Sequence, residues 1–313
     1  MRVQPVARHG RWPVITPLPL DLVPAVLVDE LVDAGLDPAA TYAHVALAFD
    51  EDLPTGHDVT AEAMPEMGVA VADVASREQG VVAGLGVAEL AFRYALGEEV
   101  EVLHRAADGT RVEPGDVVMT VRGPVAGVLT AERTALNFAS HLSGVATATA
   151  AWVDALDGTG AQVLDTRKTL PGWRALQKYA VRCGGGVNHR FSLSDRAMVK
   201  DNHVVAAGGV VEAYQRVRRA QPDLRVEVEV TDLDELVTVL EAGCTEVLLD
   251  NMDSPTMAEA VRLNAGRATL EASGGLTLER AAEVGATGVD FVSVGALTHS
   301  VRVFDLGLDF RED

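Results

Sequence analysis

The sequence predicts an α/β protein, an incomplete (open) β/α barrel with an N-terminal α+β domain. Three observations carry this prediction. From Ala161 onward, strand-like segments alternate with helical ones until six strands are counted, which is the pattern of a parallel array short of the eight units of a closed barrel. Polar and charged residues collect at the C-terminal end of each of those strands, where barrels draw their functional groups from several strands at once, whereas an open doubly wound sheet concentrates them at one switch point. Upstream, period-two apolar runs broken by Asp108-Gly109 and Pro114-Gly115 imply antiparallel strands joined by tight turns.

Composition bounds the reading. The chain has 313 residues, is 48% hydrophobic and 23% charged, and is long enough for two domains. A formal net charge of -20 argues against a nucleic-acid partner, which would call for a broad basic face. Two cysteines, Cys183 and Cys244, can build neither a disulfide framework nor a cysteine-based metal site, and fit a reducing compartment. Pro13, Pro17 and Pro19 interrupt the first twenty residues before a signal-peptide core can form. No apolar run reaches the ~18 residues that would span a bilayer. The expectation is a cytoplasmic protein with no membrane partner.

In chain order, residues 1–23 read as an N-terminal extension and 24–135 as the α+β domain. DLVPAVLVDELVDAGL has helical spacing and ends at Gly35. GVAVADVASREQGVVAG reads as strand, VAELAFRYAL as helix, and EVEVLHRA and TRVEPGDVVMTVRG as strands again. The last of these resembles the hammerhead of biotinyl and lipoyl carrier domains. A carrier needs a lysine there, and no lysine precedes Lys168, so the segment is taken as fold rather than function. LTAERTALNFASHLSGVATATAAWVDAL reads as one long helix, with Arg133 in its first turns. Residues 136–300 form the expected barrel domain, and 301–313 a tail that packs back on the N-terminal domain.

The barrel strands end on candidate site residues. Asp165, Arg167 and Lys168 follow the first strand, Lys200 ends the second, Glu229 the third and Asp250 the fourth. Ser273, Gly274 and Gly275 follow the fifth, and Ser293 and Gly295 the sixth, placing small residues and free backbone N–H groups where a phosphate can sit. In VEVEV, Glu227 and Glu229 share one face of the strand and the valines the other, so two carboxylates point inward and need cations or metal. Hard carboxylate oxygens at Glu229 and Asp250 suit Mg2+ or ribose hydroxyls.

The most unusual stretch is Asp165 to His203, with eight Lys or Arg against three Asp in an otherwise acidic chain. All three lysines of the protein, Lys168, Lys178 and Lys200, lie in it, and every other cation is arginine. That bias points to compact, three-donor charges at an anion site. His189 and Arg190, between a triple glycine and Phe191, and Lys200 on a buried strand are the strongest candidates. Arg174, Lys178 and Arg182, spaced i, i+4, i+8, read instead as a solvated helix stripe. His203 reads as structural, the alternative being that it orients Lys200 or Asn202.

Taken together, DTRKTLPGWRALQKYAVRCGGGVNHRFSL, VKDNH, VEVEV, LLDN, EASGG and VSVGALTHS closely resemble the quinolinate phosphoribosyltransferase family. The likeness also takes in REQGVVAG, DGTRVEPGD and LTAERTALN, from about residue 24 onward. It departs at Trp173 and in an insertion within EDLPTGHDVTAE. It implies transfer of phosphoribosyl from 5-phosphoribosyl-1-pyrophosphate to the ring nitrogen of quinolinate with loss of CO2, giving nicotinate mononucleotide and pyrophosphate with Mg2+ as cofactor. By motif position it implies Arg133, Arg167, Lys168, His189, Arg190 and Lys200 on carboxylates and phosphates. Glu229 and Asp250 would face the ribose and Mg2+, through water, with the Ser273 and Ser293 turns on the 5-phosphate. Lys168, Glu229 and Asp250 would be the catalytic set. It further implies that Arg133 enters a neighbouring subunit's site, hence a homodimer or higher assembly. The enzymatic alternative is a Schiff-base aldolase with Lys168 or Lys200 as nucleophile.

Overall fold

A computed structural model describes Ile15, 17–63 and 68–312. The greater part of the expected N-terminal extension therefore lies outside the described residues. The chain divides into two compact units, one holding the described residues up to Gly144 with those from Arg302 onward, the other Val145–Val301.

In the first unit, α1 (Ala25–Asp33) starts only after Pro24, which splits the predicted helix and leaves a 3-10 turn at Leu20–Leu22. Helix α2 (Pro38–Asp52) was not legible from periodicity, because alanine dilutes its apolar face. Its start signal was present in the sequence: the Asp37 carboxylate caps the backbone N–H groups of Ala39 and Ala40, and Pro38 opens the first turn. The strands β1 (Val69–Ser76), β2 (Gly80–Val81), β3 (Glu101–Arg105), β4 (Arg111–Val112) and β5 (Val117–Pro124) are antiparallel in their pairings, with α3 (Leu85–Leu96) inserted after β2. The hammerhead-like segment thus supplies β4 and β5, and serves the fold. The boundary between the units falls within the long helix α4 (Val125–Ala155).

The second unit repeats strand and helix as the sequence pattern required. Its strands are β6 (Gln162–Leu164), β7 (Ala197–Val199), β8 (Val226–Val230), β9 (Glu246–Asp250), β10 (Thr269–Ser273) and β11 (Phe291–Ser293). Between them lie α5 (Arg174–Cys183), α6 (Asp201–Ala207), α7 (Val210–Ala220), α8 (Leu233–Glu241), α9 (Ser254–Asn264) and α10 (Ala281–Gly285), and α11 (Ala296–His299) follows. All six strands are parallel in the order β6-β11-β10-β9-β8-β7. The edge strands β6 and β7 do not pair with each other among the described residues, so the barrel is open.

Alternation decides what each strand offers. Val226, Val228 and Val230 of β8 are buried in an apolar cluster with Leu236, Val239, Val247, Leu249 and Met257, and burying such side chains contributes about 1.5–3 kcal/mol each. Glu227 and Glu229 project to the opposite face. The final strand β12 (Leu306–Phe310) returns to the first unit and pairs antiparallel with β1 from Ala72↔Phe310 to Ser76↔Leu306.

Candidate active site

The loop leaving β6 is anchored from below by an ion pair. Asp165 is fully buried, and its carboxylate accepts from Lys178 Nζ on α5, from the His189 backbone N–H at 2.9 Å and from Asn188 Nδ2 at 2.6 Å. Lys178 Nζ also donates to the His189 carbonyl at 3.0 Å. Burial pushes Asp165 up and Lys178 down, and the attraction between them opposes both shifts. The expectation of a solvated Arg174, Lys178, Arg182 stripe is therefore corrected at its middle member. Arg182 is exposed and donates to Asn188 Oδ1 at 2.7 Å, whereas Lys178 is 1% exposed and holds the His189 segment to the end of β6.

Gln177 ties a second stretch in place. Its buried amide accepts from the Leu170 N–H at 2.9 Å and donates to the Thr298 carbonyl at 2.8 Å, while the Thr298 hydroxyl donates to the Lys168 carbonyl at 2.8 Å. Lys168 itself is exposed, and its stem runs across Gly295, where an added Cβ would lie 3.0 Å from Lys168 Cδ. Gly295 thus makes room for a site lysine rather than lining the pocket.

A pocket of about 570 Å³ opens among the C-terminal ends of the six barrel strands. Its cationic wall is Arg167, Lys168, Arg190 and Lys200, with His189 beside them. Glu229 and Asp250 line the same pocket, as do Ser273, Gly274, Gly275 and Ser293 of the expected set. Arg133 is not among the lining residues; it is exposed on α4, in the part of that helix belonging to the first unit. Sequence reasoning passed over Thr166, Met198, Leu248, Asn251 and Glu271, which also line the pocket. Two of these stand out, Asn251 by its geometry and Glu271 by its sequence pattern. Asn251 takes a left-handed φ of 55° at the end of β9, and its amide crosses Gly274, whose added Cβ would lie 2.3 Å from Asn251 Oδ1. Glu271 is a carboxylate between Leu270 and Ala272 on a buried strand, the same pattern that singled out Glu227.

The cations are only partly compensated. Lys200 Nζ bonds Glu229, and the Lys200 backbone N–H donates to His203 Nδ1 at 3.0 Å, which fixes the backbone where α6 begins. Arg190 donates to the Arg196 carbonyl at 3.1 Å, and burial first, then the neighbouring Arg167, push it down. Arg167 Nε is buried and has no hydrogen-bond partner among the described residues. Two guanidinium groups crowded this way are stabilised by an anion placed between them.

Beneath the cations lies a cluster of His189, Glu227 and Glu271. His189 Nε2 lies 2.9 Å from Glu227 and 3.2 Å from Glu271, and Arg196 approaches Glu227 at 3.1 Å. One nitrogen and two carboxylate oxygens within 4.8 Å of one another could accept a metal ion, but here Nε2 already serves both carboxylates. Burial alone would lower His189, yet its bonds to Glu227 and Glu271 outweigh burial and favour a value of about 9. Against that, the Arg190 backbone N–H donates to Nδ1 at 2.7 Å, and an imidazolium has no lone pair there. We assign the neutral ring protonated at Nε2, because the hydrogen bond at Nδ1 leaves no place for a second proton.

An open parallel barrel whose strand ends join clustered cations to paired carboxylates defines an enzyme of small polyanionic substrates. Comparison with known proteins makes this particular. Residues 145–309 match the family model "Quinolinate phosphoribosyl transferase, C-terminal domain" and residues 58–143 the model of the N-terminal domain. The chain belongs to the quinolinate phosphoribosyl transferase family. It is 51% identical over 267 residues to nicotinate-nucleotide pyrophosphorylase [carboxylating] of Mycobacterium leprae, covering 84% of this chain and 94% of that protein. It is 38% identical to the probable nicotinate-nucleotide pyrophosphorylase [carboxylating] of Bacillus subtilis, covering 83% of this chain and 90% of that one. The crystal structure of NadC from Streptococcus pyogenes superposes with a TM-score of 0.83 at 39% identity, covering 88% of this chain and 99% of that chain.

Proposed function

We infer that this chain is a quinolinate phosphoribosyltransferase (decarboxylating) of NAD biosynthesis, joining quinolinate to 5-phosphoribosyl-1-pyrophosphate to give nicotinate mononucleotide, CO2 and pyrophosphate. The observation that carries it is the convergence of Arg167, Lys168, Arg190 and Lys200 with Glu229 and Asp250 in one pocket. Quinolinate is a dianion and the donor a polyanion, and both need cations in a poorly solvated site. The ring nitrogen attacks C1′ as the bond to pyrophosphate breaks, and the positive charge that develops on the ribose is offset by the two rim carboxylates. No covalent intermediate with the protein is needed. A Schiff-base lysine must be free to attack a carbonyl, and Lys200 Nζ is instead engaged by the Glu229 carboxylate.

Glu229 and Asp250 offer the hard oxygen donors that Mg2+ takes, and the Asp250 carboxylate is steadied by Asn251 Nδ2 at 2.9 Å. Those two residues would hold the ion through water, and when bound it neutralises pyrophosphate charge. Ser273, Gly274, Gly275 and Ser293 would take the 5-phosphate, supported by the left-handed turns at Gly274 and Gly275. Arg133, exposed on α4, would complete the site of a second copy in a homodimer or larger assembly. Among the described residues no helix is long and apolar enough to cross a membrane. Cys183 and Cys244 form no disulfide among the described residues, which fits the reducing cytoplasm we propose, and burial pushes the Cys244 thiol up to about 11. The test is to supply quinolinate, phosphoribosyl pyrophosphate and Mg2+ and assay nicotinate mononucleotide, with nicotinate as competing acceptor. Transfer to nicotinate alone, or none in either case, would overturn the assignment.

A further inference from the structure

The proposed reaction leaves one requirement unmet by the groups assigned so far. When the bond from C2 to its carboxylate breaks, CO2 departs and the electron pair stays on C2, beside the positively charged ring nitrogen. A proton must then join that carbon. Of the cations around the pocket, a guanidinium holds its protons too tightly to be a useful donor, Lys200 Nζ is engaged with Glu229, and Lys168, the remaining ammonium, is exposed where Glu271 is buried.

Glu271 lines this pocket and is 3% exposed. The groups facing it are His189 Nε2 at 3.2 Å, Glu227 from β8 and the Ser293 hydroxyl from β11. Glu227 has a cation of its own in Arg196, which also reaches Glu246. Glu271 has none among the described residues except His189, and that ring is neutral when the Arg190 N–H occupies Nδ1. Two carboxyl groups buried against one N–H cannot both ionise without a large desolvation and repulsion cost. Arg196 decides which of them does. Burial first, and then the charge of Glu227, keep Glu271 raised in spite of His189 and Ser293.

We propose that Glu271 is the general acid that delivers its carboxyl proton to ring C2 as CO2 leaves. The O–H bond breaks and the C–H bond forms with the pair left on C2. Glu271 becomes a carboxylate beside Glu227, and the repulsion between them draws a proton back from water once product has gone. His189 and Arg196 are positioning residues in this scheme. The proposal rests on the transferase reading above.

The experiment uses the full-length chain and its Glu271→Gln variant, with quinolinate, phosphoribosyl pyrophosphate and Mg2+. Product is formed in an equal mixture of H2O and D2O, and the hydrogen-to-deuterium ratio at ring C2 is read by NMR alongside kcat, KM and CO2 release. Loss of a general acid lowers rates by roughly 10²–10⁴-fold, so kcat should fall by at least ~10² with both KM values nearly unchanged. The isotope ratio in the residual product should shift, because water replaces the carboxyl as donor. A variant with the wild-type ratio overturns the proposal whatever its rate, and leaves Lys168 as the next donor to test. If Glu271→Gln does not fold, Glu271→Asp takes its place. That variant keeps an acid, so it should lose rate but retain the wild-type ratio, and a changed ratio in it counts against the proposal. A wild-type protein that releases no CO2 from quinolinate would instead overturn the transferase reading.

Discussion

At the scale of single residues, Lys178 shows where a pattern and its environment part company. Arg174, Lys178 and Arg182 repeat at helical spacing, and spacing alone says that they share a face of α5 without saying what covers that face. Asp165, thirteen residues upstream, decides it by drawing the lysine inward as the counter-ion of a buried carboxylate. Lys178→Met should destabilise the protein by about 3–5 kcal/mol, the cost of leaving one buried charge without its partner. Chemical denaturation would measure this, and adding Asp165→Asn should recover part of the loss. The other two lysines were legible from usage alone. Lys168→Arg and Lys200→Arg should each reduce kcat/KM by at least ~10-fold, or ~1.4 kcal/mol. Charge is retained in both, but the Lys168 stem already packs on Gly295, and a rigid guanidinium fork cannot follow the same path. Wild-type kinetics in both variants would remove the argument from lysine placement. Glu271 was readable by the rule applied to Glu227, since any carboxylate on the inner face of a buried strand requires a partner. The identity of that partner, a histidine eighty-two residues earlier in the chain, is set by tertiary structure and by no local pattern.

At the scale of elements, the six strands and the helices between them, except the short α6, were legible because their two periods, two and 3.6, are distinct and their turns are marked by glycine and proline. The role of the triple glycine was not. An added Cβ at Gly184 would lie 2.3 Å from the Ala146 carbonyl, and one at Gly186 would lie 2.7 Å from Thr149 Cγ2. These glycines let the end of α5 approach α4 closely, a packing demand from a segment almost forty residues away. Strand β12 gives a test at this scale. Arg311 makes a two-pronged bond to Asp73 on β1 at 2.8 and 2.9 Å, and that bond, against some burial, holds the Asp73 carboxyl below its ordinary 3.8. A carboxyl lowered in the folded state contributes stability that is present above the ordinary value and is lost as pH falls through the lowered one. Protection of the β12 amides from hydrogen exchange should therefore drop below about pH 4, and Arg311→Ala should weaken it already at neutral pH. Equal protection in both proteins from pH 3 to 7 would show that backbone pairing alone secures the strand.

At the scale of the whole molecule, the acidic balance of -20 and the basic segment inside it were both open to view, and together they confined any anionic ligand to one small place. The assembly was not legible in the same way, because nothing local in α4 says which copy its arginine serves. Arg133 is exposed, it is absent from the pocket lining, and it belongs to the first unit while the pocket is built wholly from the second. If it completes the site of a partner subunit, two inactive variants should repair each other. Arg133→Ala subunits retain Lys168, and Lys168→Ala subunits retain Arg133. In a mixed dimer one site then combines both defects and the other has neither. Random exchange makes about half of the dimers mixed, each with one intact site in two, so roughly a quarter of wild-type activity should return on mixing. An Arg133 that served its own chain would restore nothing, since every site would still lack one of the two residues. Native mass spectrometry fixes the fraction of mixed dimers in the same sample, so activity that stays at the parental level after exchange is complete would mean that Arg133 and Lys168 do not meet across subunits.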